Sequence, residues 1–111
     1  MNVDVSTADQ VTTVTLEGDL DGSTAPQTQQ QILPLAQPGA RIVLDMSKVP
    51  YMSSAGIRML LATYRQVTAN GGKIVVAGLV EEVKDTMQVT GFLNFFTAVD
   101  TAEAGRAAVS Q

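Results

Sequence analysis

The 111-residue chain has no cysteine and no histidine. Without cysteine there is neither a disulfide framework nor a thiolate nucleophile. Without histidine there is no Ser-His-Asp triad, and with both missing the common zinc sites are gone. Carboxylates and lysines remain as acids and bases, but this inventory points to a protein that is not an enzyme and needs no metal or other cofactor. Positive charge is also sparse. Seven Lys and Arg face eleven Asp and Glu, for a net charge of −4, and the basic residues are scattered singly. Nucleic-acid binding needs a clustered positive footprint, and an anionic membrane surface attracts one too, so neither partner is expected. No apolar run exceeds four or five residues, far short of a membrane span. The N-terminus lacks a charged segment followed by an apolar one, which with the missing cysteine predicts residence in the cytoplasm.

What is present suits one α/β domain over residues 1–111. Apolar residues make up 45% of the chain, and this length supports a single core without staples. Val3-Asp-Val-Ser6 and Val11-Thr-Thr-Val-Thr-Leu-Glu17 alternate at the period of strands, with Thr7–Gln10 as the hairpin between them. Gly18-Asp-Leu-Asp-Gly22 is a turn cluster. Ser23 or Thr24 can then cap a helix to about Ala36, with Ala25, Ile32, Leu33 and Ala36 on one stripe. Pro34 should kink or shorten that helix.

Arg41-Ile-Val-Leu-Asp45 and Lys73-Ile-Val-Val-Ala77 are unbroken apolar strands, as expected at the centre of a sheet covered on both faces. Between them, Ile57, Leu60, Leu61, Tyr64 and Val67 mark the inner face of a helix from Ser54 to Ala69. Arg58, Thr63, Arg65 and Gln66 lie off that face, and Asn70-Gly-Gly72 stops the helix. A third helix places Val80, Val83 and Met87 inward and ends near Thr90. Phe92, Phe95 and Phe96 supply apolar bulk around a short strand at Phe96–Ala98. Asp100-Thr-Ala-Glu103 reads as a capping box for a last helix. The order is β-β-α-β-α-β-α-β-α, with a parallel second half.

The stretch with the most to say is Asp45-Met-Ser-Lys-Val-Pro-Tyr-Met-Ser-Ser-Ala-Gly-Ile57. It joins a buried strand to an amphipathic helix and puts Ser53 and Ser54 at the helix start. A serine there can cap orphan backbone N–H groups. A phosphate on it would meet the positive end of the helix dipole. Asp45 and Ser47 suit side-chain bonds to the local backbone. Met52 and Met59 are either adaptable surface contacts or core, with core favoured for Met52.

The same stretch resembles the signature of STAS domains and, more narrowly, of bacterial anti-sigma factor antagonists. Leu16-Glu-Gly-Asp-Leu-Asp21 upstream and Asn70-Gly-Gly-Lys-Ile-Val-Val-Ala-Gly78 downstream fall at that family's spacing. The resemblance implies a STAS-like fold: a mixed sheet of four to five strands, an antiparallel N-terminal hairpin and about four packed helices. It implies a protein that binds an anti-sigma factor, itself a serine protein kinase, and so frees a sigma factor for transcription. The kinase would phosphorylate Ser54, two residues before the motif glycine Gly56, and a serine phosphatase would reverse this. Ser53 stands where the family usually has Asp, and Ala55 where it usually has Ser or Thr, so Ser53 is the alternative acceptor. Asp19, Asp21, Thr24, Ser53, Ser54, Gly56 and Arg58 form the expected partner surface. The alternative function is a constitutive STAS scaffold on a transporter or signalling complex. An exposed first strand also leaves a homodimer open.

Overall fold

The computed structural model describes residues 1–110. Its elements are β1 (Asn2–Ala8), β2 (Val11–Glu17), α1 (Ala25–Ile32), β3 (Arg41–Lys48), α2 (Ser54–Ala69), β4 (Lys73–Ala77), α3 (Glu81–Val89), β5 (Thr97–Val99) and α4 (Ala102–Val109). The five strands lie side by side in chain order, β1-β2-β3-β4-β5. The first pair is antiparallel and the other three are parallel. This is the mixed sheet with an N-terminal hairpin and four helices that the sequence predicts.

The strand order fixes the layers. Each parallel connection steps the same way across the sheet, and right-handed crossovers then put α1, α2 and α3 on one face. Ile42, Leu44 and Met46 of β3 and Ile74 and Val76 of β4 meet them there, with Ile32, Leu60 and Met87 from the three helices. The alternate residues Val43, Val75 and Ala77 point to the opposite face, where Val109 of α4 joins them in a second, smaller core. Both central strands therefore bury both faces, which is why neither alternates in sequence. Gly105 sets how close α4 comes: a Cβ there would lie 2.8 Å from Cγ1 of Val43.

The hairpin turn is tighter than the sequence reading allows. β1 and β2 pair out to Ala8 and Val11, leaving only Asp9 (φ 53°) and Gln10 (φ 68°) in the turn. Two positive φ values make the mirror-image turn that matches strand twist, at a cost for a residue with a Cβ. Gln10→Gly should therefore raise stability by about 0.5–1 kcal/mol, read as a higher urea midpoint with an unchanged slope.

Pro34 has the effect expected of it. α1 stops at Ile32, and Leu33–Leu35 continues as a 3-10 turn. Three other readings need correction. Thr63 is not off the apolar face of α2 but fully buried. It follows Gly56 and Leu60 along the helix and precedes Val67, and its hydroxyl donates to the Met59 carbonyl at 2.9 Å. That local bond satisfies the hydroxyl without water. Thr28 of α1 is buried in the same way, bonded to the Thr24 carbonyl.

The last helix is capped one residue later than the Asp100–Glu103 box. Thr101 is extended, and its hydroxyl accepts the Ala104 N–H at 3.1 Å. The last strand is also one residue later, at Thr97–Val99. This lets the Phe96 ring stay in the core, edge-on to Tyr64 with centroids 5.3 Å apart.

Candidate functional site

Two loops that are distant in sequence are stitched together at one end of the sheet. The Leu20 N–H donates to the Tyr51 carbonyl at 3.0 Å, and the Ser53 N–H donates to the Leu20 carbonyl at 2.9 Å. Leu20 and Met52 form a short parallel bridge, and both side chains are buried. The turn after β2 is thereby held against the start of α2. Gly56 permits the approach, since a Cβ there would lie 2.6 Å from the Leu20 carbonyl oxygen.

Asp21 organises that turn. One of its carboxylate oxygens accepts the Ser23 hydroxyl at 2.7 Å, the Ser23 N–H at 2.9 Å and the Thr24 N–H at 3.2 Å. Thr24 answers across the turn: its hydroxyl oxygen accepts the Asp21 N–H at 2.9 Å and donates to the Asp19 carbonyl at 2.8 Å. The bonds from Ser23, hydroxyl first, and from Thr24 hold the Asp21 carboxyl below the ordinary carboxylate range. A depressed folded pKa stabilises the fold above the ordinary value of about 4, and the contribution disappears as pH falls through the folded value. In urea midpoints taken from neutral to acid pH, Asp21→Asn should therefore trail the native chain at neutral pH. The gap should close below about pH 4.

At the start of α2 the two serines differ. Ser53 is extended at the N-cap position, and its carbonyl accepts the Ile57 N–H at 3.0 Å. Its hydroxyl makes no capping bond. It is buried and has no hydrogen-bond partner among the described residues. Ser54 is the first residue of the helix and is exposed, as is Arg58 one turn on. No side chain caps the helix, so its first N–H groups stay open to an anion.

Of the expected partner-surface residues, the structure brings Asp19, Asp21, Thr24, Ser53, Ser54 and Gly56 to one edge of the molecule, with Arg58 beside them on α2. Asp21, Thr24 and Gly56 build the edge, whereas Asp19, Ser54 and Arg58 are exposed on it. Two features escape sequence reasoning. One is a groove of about 310 Å³ between α1 and α2, lined by Gly22, Pro26, Gln29, Ala55 and Arg58 among others. The other is Tyr51, which stands 52% exposed just before Met52. The small residues of the groove give no periodic signal, and an aromatic residue in a loop does not declare its exposure.

The remaining candidates are structural. Asp45 accepts the Ser47 N–H at 3.0 Å and the Ser47 hydroxyl at 2.7 Å, a closed local turn. Met52 and Met59 both lie in the core. Among the described residues no cluster of three or more acidic residues could hold a metal ion, and no helix is long and apolar enough to cross a membrane.

Comparison with known proteins agrees with this architecture. The STAS domain family model matches residues 2–104. BtrV of Bordetella bronchiseptica, which carries the provisional name of an anti-sigma factor antagonist, is 31% identical over 84% of this chain and 81% of its own length. The anti-sigma-B factor antagonist of Bacillus subtilis is 28% identical over 95% of this chain and 96% of its own. Among solved structures, an anti-sigma factor antagonist from Mycobacterium paratuberculosis superposes with a TM-score of 0.86 at 26% identity, covering 99% of this chain and 94% of that one. With the family model covering residues 2–104 and the fold in agreement, this chain belongs to the STAS domain family, among the anti-sigma factor antagonists.

Proposed function

We propose that this chain is a non-enzymatic, phosphorylation-switched binding module whose partner is an anti-sigma factor with serine kinase activity. The bare form sequesters that partner and so frees a sigma factor for transcription. The kinase, using its own ATP and Mg²⁺, phosphorylates Ser54, and the complex separates. A serine phosphatase restores the bare form. The cycle runs in the cytoplasm without direct contact to nucleic acid or membrane.

One observation carries this reading. Ser54 is exposed at the first residue of α2, beside the turn that Asp21 and Thr24 hold in place, while the neighbouring Ser53 hydroxyl is turned into the protein. A kinase reaching this edge meets the Ser54 hydroxyl first, which favours it over Ser53. The fold tolerates a phosphate there because the helix dipole and its open N–H groups favour an anion. A packed interface does not tolerate it, because roughly −1.5 to −2 units of charge must then be desolvated or face partner carboxylates. Asp19, Ser54, Arg58 and Tyr51 are the side chains exposed for the partner to touch.

The reading is tested by titrating the bare chain into its cognate anti-sigma factor in a calorimeter, then adding ATP and Mg²⁺. A one-step binding isotherm is expected, with loss of the complex as phosphate accumulates on Ser54. A complex that survives full phosphorylation would refute the switch.

A further inference from the structure

Arg58 is the one basic residue within four positions of Ser54. It is exposed, and its side chain makes no hydrogen bond or ion pair among the described residues. The two residues are four apart on one helix, so their side chains leave the same face with Cβ atoms about 5–6 Å apart. The direction of the pair matters as much as the spacing. Helical Cα–Cβ bonds tilt towards the N-terminus, so a long side chain at position 58 covers the turn that contains position 54. The order of charges is also the favourable one, with the negative member N-terminal. Arg58 also lines the α1–α2 groove, with the small residues Gly22 and Ala55 and the larger Pro26, Gln29 and Met59.

We propose that Arg58 is the positioning residue for the phosphate of phosphorylated Ser54, binding it through its guanidinium and holding it at the mouth of the α1–α2 groove. This rests on Ser54 as the acceptor and adds a specific partner within the same helix. In the bare chain the guanidinium is uncommitted and open to a carboxylate of the docking protein. After phosphorylation it is engaged by the phosphate, so one modification both adds negative charge and withdraws the neighbouring positive charge. The planar fork of arginine matches phosphate oxygens in pairs, which lysine does not.

The test installs phosphoserine directly at position 54 during translation, so that it does not depend on any kinase choosing Ser54. Phosphorus NMR then follows the second ionisation of the phosphate in the otherwise native chain and in Arg58→Gln and Arg58→Lys. In the chain with Arg58 the phosphate should titrate about half a pH unit below the Arg58→Gln variant, with Arg58→Lys between them. The helix dipole acts equally on all three and cancels. The difference should shrink in high salt, since the pair is exposed. Matching circular dichroism of the bare variants establishes that they are folded. The same titration midpoint with and without Arg58, at low salt, would overturn the proposal. If that pairing is found but native material never carries phosphate on Ser54, the failure belongs to the acceptor assignment and not to Arg58.

Discussion

Gly56→Ala should destabilise the chain by about 1–3 kcal/mol, against the usual gain from replacing a helical glycine by alanine. The added Cβ would fall 2.6 Å from the Leu20 carbonyl oxygen, 2.7 Å from the Met52 Cγ and 2.9 Å from the Leu20 Cγ. None of these can step aside cheaply. The Leu20 carbonyl already accepts the Ser53 N–H, and both side chains are buried in the main core. The first turn of α2 must lift away from the β2–α1 turn instead. For a domain of this size, each kcal/mol lowers the melting temperature by roughly 4 °C or more. A thermal melt followed by circular dichroism should show a drop of several degrees. Lifting the turn also separates Ser54 from Asp19, so binding of the anti-sigma factor should weaken even at temperatures where the variant is fully folded. A melting temperature equal to that of the native chain would mean that the close approach of Gly56 to Leu20 does not hold the site together.

The second large effect falls on binding and leaves stability alone. Ser54→Asp places a fixed negative charge at the first residue of α2, where the dipole favours it. The variant should melt within about 2 °C of the native chain, because surface changes of this kind are worth at most about 0.5 kcal/mol. Its affinity for the anti-sigma factor should fall by about 30-fold to several thousand-fold, the equivalent of about 2–5 kcal/mol for a charge mispaired at a packed interface. Aspartate carries less charge than phosphoserine, so it should sit at the lower end of that range. Ser54→Ala adds no charge and should bind like the native chain while accepting no phosphate. The contrast between the two variants separates the charge from the loss of the hydroxyl. If Ser54→Asp bound as tightly as Ser54→Ala, charge at this position would not be the switch.

The parts of this fold that show in its sequence are those set by periodicity. Ile57, Leu60, Leu61, Tyr64 and Val67 mark α2, and its bounds at Ser54 and Ala69 follow from the serines before it and Asn70-Gly-Gly72 after it. The unbroken runs in β3 and β4 mark strands covered on both sides. What periodicity misreads is polar residues with local remedies. Thr63 looks like a surface residue by type, yet a bond to the carbonyl four residues back lets it be buried. Asp100 and Glu103 have the spacing of a capping box, but Thr101 has the extended backbone and makes the bond. In both cases the deciding term is one hydrogen bond, well below what a residue pattern resolves.

The candidate site divides along the same line. The family resemblance marks Ser54, Gly56 and the Asp19–Thr24 turn, because it rests on residue types at fixed spacing, which a sequence carries directly. The inward rotation of the Ser53 hydroxyl, the exposure of Tyr51 and the groove between α1 and α2 leave none. They arise only when the β2–α1 turn is laid against α2, a contact between segments about thirty residues apart.

Tandem mass spectrometry of the protein isolated from its native cell, on the peptide that spans Ser53 and Ser54, tests the central claim most directly. The account predicts phosphate on Ser54, in a fraction of molecules that changes with growth condition. Complete coverage of that peptide with no phosphate under any condition would contradict it. Both serines would then belong to the helix start alone, and the chain would be a scaffold that binds without a switch.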